Sequence, residues 1–129
     1  MAQDKLFVLQ RARTALEKGP GEISIRKAWD APINSWFGSP SPDGRYLSYN
    51  SEQDFMSLGV HDIVKGESRL LMHNKSWADE EYCNDSIFSP DGRQIAYTCQ
   101  VKDRLIQLRT VNIDGTSTRI LRDGKDLLD

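Results

Sequence analysis

The spacing of apolar residues changes once along the chain, and that change divides it. Between Lys5 and Glu17, the residues Leu6, Leu9, Ala12 and Leu16 recur at intervals of three and four, with Lys5, Arg11, Arg13 and Glu17 in the other positions. This predicts a short amphipathic helix. Gly19-Pro20-Gly21 should end it, because glycine accepts a left-handed cap and proline cannot extend the hydrogen-bond ladder. From Glu22 the period becomes that of a strand: Ile23 and Ile25 alternate with Glu22, Ser24 and Arg26. A half-buried strand over about 22–30, with no hairpin partner beside it, is expected.

After the turn-rich link Ala31-Pro32-Ile33-Asn34, short alternating stretches follow in two groups of four. The first group covers about 35–39, 46–51, 58–64 and 68–73, and the second about 85–89, 94–100, 106–113 and 117–122. The groups are copies. Ser41-Pro42-Asp43-Gly44-Arg45 returns 48 residues later as Ser89-Pro90-Asp91-Gly92-Arg93, and each copy runs into an apolar-x-Tyr step, Leu47-Ser48-Tyr49 and Ile95-Ala96-Tyr97. Lys65-Gly66 and Asp114-Gly115 stand 49 apart, so about one residue is inserted in a middle loop. The repeated turn has a mechanism. Proline presets φ for the first corner, aspartate fits the second, and glycine supplies the positive φ that restores strand twist. In both second strands a large pair (Leu47 and Tyr49, Ile95 and Tyr97) faces one way and a small residue (Ser48, Ala96) the other, which predicts that sheets cover both faces. Self-similarity at this period marks solenoids and propellers.

The stretch from Ile87 to Tyr97, completed by Val111-Asn112-Ile113-Asp114-Gly115 and Arg119-Ile120-Leu121, resembles the WD40-like repeat of TolB-type propellers; the first unit is similar through Gly38 to Tyr49 and Leu58 to Gly66. The resemblance covers about 35–124. It implies an all-β chain of two consecutive four-stranded antiparallel blades, an incomplete β-propeller, preceded by the short N-terminal α-helix. The divisions are then helix and linker (1–21), orphan strand and link (22–34), first blade (35–78) and second blade (79–129). It also implies a non-catalytic scaffold for protein contact. The alternative is an accessory propeller segment of a larger hydrolase, of prolyl oligopeptidase or glycan-acting type, with its catalytic domain elsewhere; the chain has no Gly-x-Ser-x-Gly elbow. Closed propellers take about four to eight blades, so two must be the front of a longer ring or must associate through their open faces. Its partners are expected to be a protein or further blades.

Composition narrows the classes further. Seventeen basic residues against nineteen acidic ones leave a net charge of −2, which offers no basic face for nucleic acid. The only apolar run near the start, Leu6-Phe7-Val8-Leu9, is shorter than a signal-peptide core, and membrane insertion is not expected. A cytoplasmic protein is the default, and a periplasmic one follows if the chain is part of an exported TolB-like protein. His61 and His73 lack metal-ligand spacing and read as strand polar residues, and His61-Asp62 near serines does not by itself make a triad. Asp79-Glu80-Glu81 with Asp85 lacks the glycine-containing calcium-loop pattern and reads as a solvated loop. No catalytic, cofactor or metal residue is assigned. Trp29, Trp36 and Trp77 lie near loop ends, where aromatics either fill gaps between blades or meet a partner, and Trp36 and Trp77 are the candidates for a partner surface. Counting back from Ser89 opposite Arg93 places Cys83 opposite Cys99. That register permits a cross-strand disulfide, with two free thiols as the alternative.

Overall fold

The computed structural model describes Ile25 and residues 27–31, 34–79 and 81–127. The helix expected over Lys5 to Glu17 lies outside these residues. The chain divides into two compact units, 1–31 and 32–129. In the first, Lys27 pairs with Asp30, and Ile25 and 27–31 belong to no helix or strand; the rest of the strand expected there lies outside the described residues.

The second unit holds two four-stranded antiparallel sheets. Strands β1 (Ser35–Pro40), β2 (Tyr46–Ser51), β3 (Ser57–Asp62) and β4 (Glu67–Leu70) pair in sequence order. Strands β5 (Tyr82–Phe88), β6 (Gln94–Gln100), β7 (Ile106–Asn112) and β8 (Arg119–Arg122) repeat the arrangement. The fourth strand of the first sheet is shorter than its alternation predicts. The amides of Leu71 and Met72 both turn back to the Leu58 carbonyl, at 2.8 and 3.3 Å, which ends β4 and leaves His73 outside any strand.

The repeated turns are built alike. Asp43 Oδ1 accepts from Ser41 Oγ at 2.5 Å and from the Arg45 amide at 3.0 Å, while Asp91 Oδ1 accepts from Ser89 Oγ at 2.6 Å and the Arg93 amide at 3.0 Å. The serine hydroxyls, then the amides, hold both carboxyls below the ordinary aspartate value. Gly44 and Gly92 both take φ of 71°. The second turn is one residue longer than expected. Arg93 gives its amide to Asp91 inside the turn, so the ladder resumes only where the Ser89 amide meets the Gln94 carbonyl, at 2.8 Å.

The sheets pack face to face through β5, which lies against β1, β2 and β3. Their shared core takes Leu58, Val60 and Leu71 from the first sheet and Cys83, Phe88, Ile95, Tyr97, Cys99 and Val111 from the second. Serines hold the closest approach. Ser86 Oγ donates to Ser48 Oγ at 2.8 Å, the Phe88 amide donates to Ser39 Oγ at 3.0 Å, and the Ser39 amide donates to Ser48 Oγ at 2.9 Å. Every residue of β2 from Leu47 to Ser51 is buried, but among the described residues only the second sheet stands against β2, so a sheet covers one of its faces and not both. In β6 Ile95, Tyr97 and Cys99 are buried, but Ala96 and Thr98 between them are only half-buried, because no third sheet stands over that side among the described residues. No helix of the described residues is long and apolar enough to cross a membrane.

Candidate interaction surface

The half-covered face of the second sheet matches, position by position, the face of the first sheet that the second one covers. In the first sheet Ser48 pairs with Val60 and Asn50 with Leu58, and all four are buried against the second sheet. In the second, the corresponding pairs are Ala96 with Thr110 and Thr98 with Leu108, all half-buried. Ile87, opposite Ala96, is 59% exposed, and Ile106, two residues before Leu108 on the same side, is 49% exposed. Small and aliphatic side chains at the centre with two exposed isoleucines at the rim make a surface suited to another sheet.

The two tryptophans lie at one end of the sheets. Trp36, second in β1, lies opposite Asn50 and is 64% exposed. The loop that follows β2 carries Phe55, whose ring meets Trp77 edge to face at 5.7 Å, and Trp77 stacks on Tyr82 at 5.7 Å while remaining 45% exposed. Trp77 therefore both packs and presents a face. Trp29 is half-buried in the first unit.

The residues weighed for catalysis are occupied structurally. His61 is buried, its Nδ1 lies 2.8 Å from Ser68 Oγ, and burial pushes its pKa down, with Asp62 working the other way. Asp62 does not join it. As the next residue in a strand it points to the other side, where its carboxylate takes Arg45 at 2.9 Å and the amides of Val64 and Lys65 at 3.0 Å each, closing the β3–β4 turn. The Arg45 hydrogen bond is the main cause that holds Asp62 at a pKa of about 2. Arg45 also lies over the Tyr46 ring, 5.0 Å from its centre.

The acidic run is also divided. Glu81 accepts from Arg109 at 3.0 Å, Arg109 further donates to Gln107 Oε1 at 2.6 and 2.9 Å, and Gln107 reaches Asp123 at 3.3 Å. Arg109 faces Tyr97 across β6 and β7; burial raises the Tyr97 pKa, and Arg109 opposes that. Asp85 sits in an edge bulge with φ of 49°. Among the described residues no group of three histidine, cysteine or acidic side chains converges on a metal-sized site. The Arg109 network leaves no direct sign in the sequence, since its members come from the segment before β5, from β6 and β7, and from the loop after β8. Cys83 and Cys99 face each other in register, with Cα atoms 4.0 Å apart and sulfurs at bonding distance.

No protein-family model and no curated protein matches the chain. Solved structures do. A TolB structure from Agrobacterium tumefaciens is similar over 73% of this chain at 26% identity, with a TM-score of 0.62. The chain carries two blades of a TolB-like β-propeller. TolB from Acinetobacter baumannii shares the fold over 77% of the chain at 13% identity, with a TM-score of 0.58. This TolB-like chain spans 32% of the first of those proteins and 24% of the second, so its two blades correspond to a part of each.

Proposed function

We propose that the chain is a non-catalytic scaffold for protein contact, and that its outer β6–β7 face docks a further four-stranded sheet of the same kind. One observation carries this reading: Ala96, Thr98, Leu108 and Thr110 stand where Ser48, Asn50, Leu58 and Val60 stand in the first blade, and those four are already buried by a sheet. A face with the same small-and-aliphatic relief takes the same kind of cover. The stacked sheets then hold the loops at the tryptophan end in fixed positions, as a binding platform requires. The neighbouring TolB structures support the scaffold reading at the level of fold.

The test is sedimentation velocity of the intact chain over a range of concentrations, beside an Ala96→Arg variant. Arginine there adds a long charged side chain to the centre of the docking face while leaving the blade core untouched. The expected result is reversible association of the wild type, weakened at least tenfold in the variant. A wild type that stays monomeric at about 100 μM and binds no apolar dye would remove the proposal, because an exposed face of this kind seeks cover.

A further inference from the structure

The two blades differ at one repeat position in a way that their shared fold makes informative. In the first blade Ser35 pairs in register with Ser51, and in the second Cys83 pairs with Cys99; each cysteine lies 48 residues after its serine. The first pair is poorly served. Both hydroxyls are buried, and neither has a hydrogen-bond partner, an arrangement that leaves polar groups dehydrated without return. In the second blade the same position holds Cys83 and Cys99, both 0% exposed, and these are the only cysteines in the chain.

The strand that carries Cys83 has special need of an anchor. β5 is the edge of its sheet and pairs only with β6, yet it carries the packing of the second blade against β1, β2 and β3. Its pairing is interrupted between Asn84 and Ile87, where Asp85 adopts φ of 49°. Past that bulge, only the short segment Tyr82 to Asn84 continues the ladder, opposite Gln100 to Thr98. A covalent link between Cys83 and Cys99 fixes the register of this short segment, and with it the half of β5 that lies beyond the bulge.

We propose that Cys83 and Cys99 form a structural disulfide in the working protein, at a cross-link position that the repeat encodes in both blades and uses in the second. The chemistry requires an oxidant of the disulfide class, such as oxidised glutathione or a disulfide oxidoreductase. One cysteine thiolate attacks a sulfur of that disulfide and releases a thiolate, forming a mixed disulfide. The second cysteine thiolate then attacks the protein sulfur of the mixed bond and expels the other thiol. The two cysteines lose two protons and two electrons, and the oxidant is reduced to two thiols. Since both sulfurs are fully buried once the blades stack, the exchange precedes or accompanies docking of β5, and the bond is thereafter shielded from reductants. Persistence of such a bond places the folded chain in an oxidising environment.

The experiment starts from the intact chain refolded in a buffer of oxidised and reduced glutathione, quenched with acid, denatured and alkylated without reductant. The expected intact mass shows no alkyl groups, and two after reduction; two alkyl groups without reduction would overturn the proposal. Because substituting a buried pair can itself unfold the chain, the oxidised and fully reduced wild-type forms are compared directly. The oxidised form should melt roughly 10 to 20 °C higher, as closing a loop of this length implies, and equal melting temperatures would refute an anchoring role. The repeat claim has its own arm: Ser35→Cys/Ser51→Cys should form a second disulfide under the same conditions. Two persistently free thiols at those positions, in a folded chain with Cys83 and Cys99 bonded, would refute it.

Discussion

At Gly92 the turn depends on conformation and not on space. Its φ is 71°, and a Cβ there would meet only Pro42, at 3.6 Å. Gly92→Val should cost about 1–3 kcal/mol through the left-handed backbone alone, and Gly92→Asn distinctly less, since asparagine tolerates that region. Denaturant titration of the two variants checks the order; equal losses would point to a steric cause instead. Asp62 gives a prediction in pH. Its folded carboxyl titrates near pH 2, below its ordinary 3.8, so the unfolded chain binds more protons between those values. The stability it contributes is present above about pH 4 and is lost as the pH falls toward 2. Asp62→Asn should flatten that part of the acid limb, with Arg45 losing its main partner. Thermal melts between pH 2 and 6 would show the difference, and parallel wild-type and variant curves would assign the acid limb to other carboxylates.

Between elements, the strand pairings were legible where residue type alone dictates geometry, and obscure where the backbone departs from type. The Ser-Pro-Asp-Gly turns announced two hairpins because proline, aspartate and glycine each have one favoured place in them. The facing of Cys83 and Cys99 was also legible, although two departures stand between the turn and the pair. The turn is one residue longer than its sequence indicates, and the bulge at Asp85 restores the register. Neither shows in the sequence, because Asp85 takes a left-handed conformation without being glycine. The same is true of Phe55 and Met56 and of Asp103 and Arg104, consecutive left-handed residues at matching points of the β2–β3 and β6–β7 loops, which lack the glycine that usually marks such turns. In the sequence Gly38 only marks where the first repeat copy begins, and the structure gives it a role. A Cβ there would collide with Ser86 Oγ and come within 2.5 Å of both Ser48 Oγ and the Ser86 carbonyl, so its bare backbone is what lets the second blade approach. Gly38→Ala should therefore destabilise the chain by about 1–3 kcal/mol, the usual range for overpacking a tight contact. An equilibrium unfolding curve tests this, and a neutral result would mean that the serine contacts yield without cost.

For the whole molecule the consequence is shared stability. Most of the buried apolar side chains lie between the blades: Leu58, Val60 and Leu71 of one bury against Ile95, Tyr97 and Val111 of the other, and the cysteines and Phe88 complete the same cluster, while Leu47 and Tyr49 of the first blade are buried outside it. In stacked repeats, stability is the sum of each unit and its interface, and here the interface holds most of the apolar burial. The two blades should then unfold together. Ile95→Ala, which empties a fully buried position at the centre of that cluster, should cost about 2–5 kcal/mol and should lower the stability of the first blade as much as the second. Hydrogen exchange reads this directly. Amides of β2 and β3, which do not belong to the mutated sheet, should lose protection by the same factor as those of β6 and β7. If only the second sheet loosens, the blades are independent units, and the stacked interface contributes less than its burial implies. If both loosen together, the free energy that holds the visible interface is the same kind that an additional sheet would gain on the open side, with Ile87 and Ile106 supplying the apolar rim.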